Sequence, residues 1–459
     1  ALGFMNFYIE MESTARELPY KIYLANFLAS RGHSVLLAQS DFLRGVMQAS
    51  LGGVYVGKNV FTRPVHIQSS EWIDKLHQNS FVVVYNHEEG GVFEGSSIDD
   101  VIRESLNRYP KSFFRPSDSV IYWGEIFEQA EVAEISCDSF VSGSPTFELF
   151  RPKYDRIFSE FGNPATDIMI NGNHPSINGL GGLLRPEVLE YLDKNSVEFG
   201  LEWITGETLS FARALKAILL AESDQRVESI GYRPHPSESR EFIDLIAGKS
   251  TKLKTLGADP LEVEIRCANV IAHEGCTTGL QAYVAEKCVV SMSPDGPARA
   301  KLPALASRQI LSNEDMFQTL VDVKENRNRN FGNELAGKKL FDREPTVYIK
   351  NLHQGEANYL EKFCEFIETK ANDVSVKKSR RFSIRRLEIV DDKESALKFL
   401  KSKTFYKIRL DRKHRAAYMD SRWQFSDDIF FKILRGVERY QGHSNFCTFK
   451  GSLFACFNW

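Results

Sequence analysis

Two short polar stretches in the middle of the chain, YRPHPSE at residues 232–238 and HEGCTTGLQA at residues 273–282, decide the fold. Each follows a short β-like run, at residues 228–231 in one case and 268–272 in the other. Each places hydroxyls, glycine or a cation where a strand should end and a helix should begin. Ligands of open α/β sheets bind at that edge, and helix N-termini there receive phosphate. The pair therefore predicts a parallel α/β sheet with a nucleotide-sugar site.

The same alternation of short apolar runs and helical patterns extends over most of the chain. Predicted strands lie at residues 4–9, 34–38, 81–85, 119–123, 167–170 and 288–292, and predicted helices at residues 18–30, 147–161 and 208–222. This βαβ rhythm favours parallel sheets covered by helices on both faces. A pause in the rhythm places a domain boundary between residues 143 and 164. We expect an α/β fold of two Rossmann-like domains facing a cleft, at residues 1–155 and 156–345, with a C-terminal extension at 346–459.

Composition limits the class of protein. At 459 residues, 42% hydrophobic and 26% charged, the chain is typical of a soluble globular protein with more than one domain. Its seven cysteines are scattered without a CxxC pair, which predicts a reducing compartment and neither a disulfide framework nor a zinc site. No apolar run approaches the ~20 residues that span a bilayer. Residues 1–10 are typical of a core strand rather than a signal peptide, so we expect a cytoplasmic protein.

The first stretch brackets a histidine with two prolines. Proline fixes φ near −65°, so the loop is stiff and the direction of the His235 imidazole is set before a ligand arrives. An imidazole beside Arg233 suits a phosphate or a departing phosphate oxygen. Ser237 and Glu238 then add a helix-start signal, and with Arg233 they are candidates for binding the nucleotide sugar. The alternative is a rigid strand exit in which His235 only caps backbone groups.

The second stretch offers small residues, two hydroxyls and free amides at a predicted helix N-terminus. Such a segment cradles phosphate through backbone dipoles and hydroxyl donation, although threonine at an N-cap is by itself ordinary. Gln281, one turn into the helix, is either a ribose ligand or a solvated position. The nucleotide-binding candidates ahead of it are His273, Gly275, Thr277, Thr278 and Gly279.

Three further segments supply polar residues at strand ends. Glu88 and Glu89 follow the predicted strand at 81–85, where adjacent carboxylates can differ in pKa and leave one as a base. A surface pair is the plainer interpretation. The remaining segments contain substrate-binding candidates: Asn171, Asn173 and His174 after one strand, for which an Asx-rich turn is equally compatible, and Glu10, Arg16 and Glu17 after the first strand.

The segment at residues 377–415 is strongly basic, with fifteen Lys and Arg residues against five Asp and Glu. Such a segment is attracted to an anionic membrane surface or to nucleic acid, or forms a solvated face. Because aromatic residues follow the charges instead of alternating with them, we expect a peripheral membrane surface as the partner and no nucleic acid.

The chain resembles the bacterial surface carbohydrate biosynthesis proteins, which look like GT-B glycosyltransferases. The resemblance covers roughly residues 4 to 300 and is carried by segments 7–10, 16–17, 88–90, 143–145, 150–152, 233–238 and 273–279. More distantly, the acidic-acidic-Gly, His-Pro and paired hydroxyl motifs are similar to those of bacterial sialyltransferases and Kdo transferases, which use CMP-activated sugars. The paired motif here is Thr-Thr rather than Ser-Ser.

This resemblance implies a glycosyltransferase that moves Kdo or another ulosonic acid from a CMP donor to a surface polysaccharide or lipid-linked acceptor. It implies Glu89 or Glu88 as general base, His235 as the residue serving the CMP phosphate, and Thr277 and Thr278 as phosphate-binding hydroxyls. Glu207 is the candidate if a carboxylate nucleophile is used. No metal or other cofactor is expected, because one phosphate needs only a histidine and hydroxyls. The alternatives are a CDP-polyol phosphotransferase, a UDP-sugar transferase or epimerase, and a membrane-associated scaffold of glycan assembly.

Overall fold

The computed structural model of the protein describes residues 5–12, 14–40, 43, 47, 52–58, 60, 70–86, 97–106, 111–131, 133–162, 165–175, 177–179, 197–236, 238–292, 301–310, 315–326, 335, 337–355, 357–372, 427–444, 447–450 and 454–457. Its strands are β1 (Asn6–Met11), β2 (Ser34–Gln39), β3 (Gly53–Gly57), β4 (Phe81–Asn86), β5 (Ser119–Tyr122), β6 (Asp138–Val141), β7 (Thr166–Asn171), β8 (Ile230–Arg233), β9 (Leu253–Thr255), β10 (Ala268–His273), β11 (Cys288–Ser291), β12 (Arg308–Gln309), β13 (Cys447–Lys450) and β14 (Phe454–Phe457).

Helices cover both sheets. They are α1 (Thr14–Ser30), α2 (Glu71–Gln78), α3 (Ile98–Leu106), α4 (Glu125–Glu131), α5 (Pro145–Glu148), α6 (Val197–Ser223), α7 (Glu241–Ala247), α8 (Leu261–Cys267), α9 (Thr277–Val284), α10 (Lys301–Leu305), α11 (Met316–Glu325), α12 (Tyr359–Thr369) and α13 (Asp427–Gln441). Short 3₁₀ helices lie at Lys111–Phe113, Pro152–Phe158, Pro345–Val347 and Lys370–Asn372.

The strands form two separate sheets. The first has the order β13-β14-β2-β1-β3-β4-β5-β6, and β1 to β6 pair in parallel. The second has the order β12-β11-β10-β7-β8-β9, and its strands are all parallel. All six residues of β1 and of β7 are buried, as expected for central strands covered on both faces. The predicted fold of two Rossmann-like domains is confirmed.

Each sheet has a point where the direction of strand addition reverses. In the first sheet β1 lies between β2 and β3, and in the second sheet β7 lies between β8 and β10. A crevice opens there at the carboxyl ends of the strands, and it is the usual ligand position in this class of fold. We call these places the N-terminal switch edge (the ends of β1 and β3) and the C-terminal switch edge (the ends of β7, β8 and β10).

Two predicted helices differ from the observed ones. The long helix α6 begins at Val197, so Glu207 lies inside it and not near its start. The region predicted as one helix at 147–161 is the short α5 followed by a 3₁₀ helix beginning at Pro152. The cause is proline, because the residue before it is pushed out of the helical region. Arg151 accordingly has an extended ψ of 145°.

The described parts of the C-terminal segment 346–459 pack against the N-terminal sheet and do not stand apart from it. Strand β14 pairs antiparallel with β2 and carries β13 at its outer edge. Helices α12 and α13 place Phe363, Ile367, Phe430 and Val437 in the same buried cluster as Phe7. The basic stretch 377–415 lies outside the described residues.

The chain crosses between the two domains twice, and the crossings are joined by buried hydrogen bonds. The Asn351 side chain donates to the Ser144 carbonyl at 2.8 Å and accepts from the Ser144 amide at 2.8 Å. Arg151, 1% exposed, donates to the carbonyls of Asn351, His353 and Gly355. These contacts fix the return of the chain to the N-terminal domain after the second sheet.

Candidate functional site

Three strands of the second sheet end in one row at the C-terminal switch edge. Asn171 of β7 pairs with Arg233 of β8 on one side and with His273 of β10 on the other. Adjacent strands lie about 4.8 Å apart, so the ends of β8 and β10 are separated by about 10 Å. The two polar stretches that opened the sequence analysis therefore meet at one edge, within the size of a single nucleotide.

A buried histidine lies at the centre of this edge. The His174 imidazole is fully buried, and its Nε2 lies 2.9 Å from Glu274 Oε2 and 3.2 Å from Ser210 Oγ. Its Nδ1 lies 3.0 Å from the Tyr232 hydroxyl and 4.0 Å from Glu238 Oε1. His174 thus joins the loops that follow β7, β8 and β10 to helix α6.

The charge of His174 follows from these neighbours. Burial alone lowers the pKa of His174, but the hydrogen bond and charge of Glu274, with the charges of Glu238 and Glu207, raise that pKa above its ordinary 6.5. Glu207, the predicted nucleophile candidate, is buried and close enough to act on His174 electrostatically. Glu274 therefore favours the charged form of His174, with which it forms an ion pair when the imidazole is protonated.

Glu238 ties the loop after β7 to the loop after β8. Its fully buried carboxylate accepts the backbone N–H of His174 at 2.9 Å and that of His235 at 3.1 Å through Oε1. Through Oε2 it accepts the Tyr232 hydroxyl at 2.9 Å. Sequence reasoning proposed Glu238 as a nucleotide ligand; the structure places its oxygens on protein donors.

Helix α9 presents its N-terminus to the same edge. Cys276 is its N-cap residue, with extended backbone (φ −120°, ψ 166°), and its side chain makes no capping hydrogen bond. Gly275 before it has a φ of +50°, a conformation that glycine adopts without strain. The first amide N–H groups of a helix have no partner within it, and Thr277, which is half-buried, adds a hydroxyl there. Thr278 is buried, and its side chain forms a hydrogen bond with Cys276.

His273 lies under this helix instead of facing a ligand. Its fully buried ring lies so close to Gly279 that a Cβ at that position would approach His273 Nε2 to 2.4 Å. Nε2 also lies 2.7 Å from Ser307 Oγ. Burial lowers the pKa of His273 to about 4, so the ring is neutral at physiological pH. Gly279 is therefore required for helix packing. Two buried atoms nearby, His273 Nδ1 and Gln281 Oε1, have no hydrogen-bond partner.

Other predicted residues occupy different positions. The guanidinium of Arg233 pairs with Glu264 and donates to the Asp259 carbonyl at 3.3 Å, so its charge is held within the domain. His235 is half-buried in the loop that Glu238 anchors. Asn171 and Asn173 donate weakly to Cys276 Sγ and to the Glu274 carbonyl, both at 3.4 Å. The predicted Glu88, Glu89 and Ser237 lie outside the described residues.

Of the three substrate candidates in the first domain, Glu17 belongs to an ion cluster at the N-terminal switch edge, with Glu10 beside it. Glu17 Oε2 lies 2.6 Å from Lys21 Nζ, and Glu17 Oε1 lies 3.1 Å from Lys58 Nζ. Burial raises the pKa of Glu17, but the combined lowering by the two lysines is larger. The pKa is therefore well below its ordinary 4.5. Glu10 Oε2 accepts the Lys58 amide at 3.0 Å. Arg16 is exposed.

Sequence reasoning missed several members of these clusters. Tyr232 and Glu274 stood inside the quoted stretches but were not chosen, and Ser210 was missed although it lies one helical turn after Glu207. Lys21 carried a usable signal, because it follows Glu17 by four residues on a helix. Nothing in the sequence around Lys58 indicates its contact with Glu17, because that contact depends on the pairing of β1 with β3.

The described residues contain no group of His, Cys, Asp and Glu side chains arranged to hold a metal ion. No helix in the described part of the chain is both long and apolar enough to cross a membrane.

No protein-family profile matches the sequence, and no curated protein matches it. Similar solved structures include S. aureus MnaA with UDP and the putative UDP-N-acetylglucosamine 2-epimerase of Listeria monocytogenes. Each has 10% identity and a TM-score of 0.47, over 82% of this chain and 99% and 100% of the other. The wall teichoic acid polymerase TagF has 9% identity and a TM-score of 0.41, over 80% of this chain and 89% of its own. The two-domain architecture is shown by the strand orders of the two sheets.

Proposed function

We propose that the protein is a nucleotide-sugar-dependent glycosyltransferase that binds its donor at the C-terminal switch edge. The observation that carries this proposal is the meeting of the uncapped N-terminus of α9 with the loop of His235 at one edge. Amides and the hydroxyls of Thr277 and Thr278 suit a donor phosphate. The loop of His235 follows β8, which β7 separates from β10, and an imidazole there suits the developing charge on the leaving oxygen.

The donor that we propose is a CMP-activated sugar, with Kdo or another ulosonic acid as the group transferred. A CMP leaving group carries a single phosphate, which one helix N-terminus, two hydroxyls and an imidazole can neutralise. The acceptor is then a surface polysaccharide or a lipid-linked glycan, with Glu89 or Glu88 as the base that takes its proton. We expect no metal requirement for this chemistry.

Nucleotide preference tests the donor directly. Thermal unfolding of the full chain is measured with CMP, CDP, UDP and GDP, since a ligand at 100 times its dissociation constant adds about 2.7 kcal/mol to the free energy of unfolding. We expect CMP to stabilise most. A preference for CDP would favour a polyol-phosphate transferase, and a preference for UDP a UDP-sugar transferase or epimerase. No stabilisation by any nucleotide would contradict the proposed function.

The proposed location is the cytoplasmic face of a membrane, where the acceptor is assembled. The excess of positive charge at residues 377–415 supports this, because each Lys or Arg near an anionic leaflet contributes about 1 kcal/mol. Removing everything after residue 369 is a poor test, since α13 and β14 belong to the N-terminal core. Replacing Lys377, Lys378, Arg380 and Arg381 with glutamine should reduce liposome co-sedimentation and leave transfer to a soluble acceptor intact. Unchanged liposome binding would contradict the proposed location.

A further inference from the structure

The C-terminal switch edge contains a charge that works against phosphate binding. Glu274 lies two residues before Cys276, the N-cap of α9, and its side chain is 11% exposed. A carboxylate so close to a helix N-terminus repels a phosphate bound there, and at low effective dielectric the repulsion is large. Some cation must offset it, and Arg233 is already paired with Glu264.

We propose that His174 is the charge-compensating and positioning residue of this site. Its Nε2 lies 2.9 Å from Glu274 Oε2, so a protonated imidazole cancels the carboxylate beside the phosphate position. Being fully buried, His174 acts on the donor only through Glu274 and the loops it joins. This inference rests on the proposed nucleotide site and assigns the residue that makes that site electrostatically acceptable.

The positioning part follows from the hydrogen bonds on the other side of the ring. Nδ1 lies 3.0 Å from the Tyr232 hydroxyl, which donates to Glu238 at 2.9 Å. Glu238 in turn accepts the backbone N–H of His235. One continuous chain of hydrogen bonds therefore connects Glu274 at the cleft to the loop that carries His235.

The groups around His174 favour its charged form. Three carboxylates face it, from three different elements, and the other contacts are two hydroxyls and an aromatic ring. Helix α6 contributes Glu207, Ser210 and the Phe211 ring, which lies 5.2 Å from the imidazole. Strand β8 and its loop contribute Tyr232 and Glu238, and the loop before α9 contributes Glu274. The pKa of His174 is accordingly raised above its ordinary 6.5, so its charge is lost at a higher pH than that of an unperturbed imidazole.

A definite pH dependence follows. Below the raised pKa of His174 the ion pair is intact and nucleotide binds; above it, Glu274 is uncompensated and the dissociation constant rises. We expect a rise of about tenfold or more, since one uncompensated charge at this range is worth at least 1.4 kcal/mol. By reciprocity, bound nucleotide must raise the pKa of His174 further.

Calorimetric titration of the full chain with CMP between pH 6 and pH 9.5 tests the compensation. Wild type should lose affinity as pH rises, and His174→Gln should bind weakly at every pH without the step. Glu274→Gln removes the charge that needs compensating, so it should bind independently of pH and more tightly than wild type at high pH. The double variant should recover affinity lost in His174→Gln, which a purely structural role would not produce.

The matched control is Glu241→Gln, an exposed carboxylate at the start of α7, which should follow the wild-type pH profile. If His174→Gln does not fold, Glu274→Gln still carries the test. Retention of the wild-type pH step in Glu274→Gln would overturn the inference.

Selective ¹⁵N labelling of the ten histidines separates this inference from the proposed function. Without ligand, His174 should titrate above pH 6.5 in wild type and at lower pH in Glu274→Gln. If His174 titrates so but no nucleotide binds at any pH, the proposed function fails and the compensating role fails with it. If nucleotide binds equally well at all pH values, the inference alone is refuted.

Discussion

The two switch edges hold similar carboxylates but treat them in opposite ways. At the N-terminal edge, Glu17 is paired with Lys21 and Lys58, and Glu10 accepts a backbone amide. At the C-terminal edge the carboxylates surround a single imidazole, and the neighbouring helix N-terminus has no side-chain cap. The first arrangement satisfies its own charges, whereas the second has a helix N-terminus without a side-chain cap beside its carboxylates. The same position in the fold serves stability in one domain and, as we propose, ligand binding in the other.

The largest expected effect is on stability, at the N-terminal edge. Glu17→Gln leaves the buried Lys21 without its carboxylate partner and removes one of the two carboxylates that pair with the partly buried Lys58, which should cost about 3–5 kcal/mol in the free energy of unfolding. Urea denaturation at pH 7 measures this. Glu71→Gln, an exposed ion pair with Lys75, is the control and should change stability by less than about 1 kcal/mol. A Glu17 variant that has normal stability but fails to bind nucleotide would show that the N-terminal edge serves ligand binding and not stability.

The same residue predicts acid sensitivity. The pKa of Glu17 is lowered in the folded protein, so its contribution to stability is present above pH 4.5 and is lost as pH falls through the lowered pKa. The wild-type protein should therefore lose more stability on acidification than Glu17→Gln does. Parallel pH profiles of the two proteins, measured by urea denaturation, would show that the ion cluster does not stabilise the fold.

At the C-terminal edge the largest effect should be on turnover. His235→Ala should reduce sugar transfer by about 10²-fold, the scale expected for loss of acid–base or phosphate stabilisation. The backbone N–H of His235 that Glu238 accepts is kept in this variant, and its circular dichroism spectrum and urea midpoint check that it folds like the wild type. His443→Ala, at an exposed position in the N-terminal domain, is the control. Full activity of His235→Ala would reduce the Pro-His-Pro loop to a structural turn.

A smaller effect should follow from the hydroxyls of α9. Thr277→Val with Thr278→Val should weaken nucleotide binding about tenfold or more, since a hydrogen bond to a charged group contributes about 1.5–3 kcal/mol. Thr208→Val, an exposed hydroxyl on α6, should leave binding unchanged. Equal affinity of the variant and the wild type, measured by calorimetry, would contradict phosphate binding at the N-terminus of α9.

The sequence predicted the fold better than the site. Strand and helix periodicity, with motifs at strand ends, was enough to predict two Rossmann-like domains, because central strands such as β1 and β7 contain short apolar runs, at residues 7–9 and 168–170, next to polar residues at their ends. The hairpin of β13 and β14 was missed, since nothing local shows that residues near 455 pair with β2.

Within the site, local signals located residues but not their partners. His174 and Glu238 were both chosen as ligands from their positions after strands. Their contact joins residues 64 positions apart, and it exists only because β7 and β8 are neighbours. Likewise, Gly279 was predicted as part of a phosphate cradle. The structure shows that a side chain at this position would also collide with the His273 ring. Strand order, which sequence patterns do not specify, decided these roles.

The most direct test of the central claim is hydrogen–deuterium exchange of the full chain with and without CMP. Binding at the C-terminal switch edge predicts slower exchange in residues 230–238 and 271–284, with no change in residues 6–21 and 53–58 at the N-terminal switch edge. Protection of the N-terminal edge alone, or no protection at either edge at saturating nucleotide, would contradict the account.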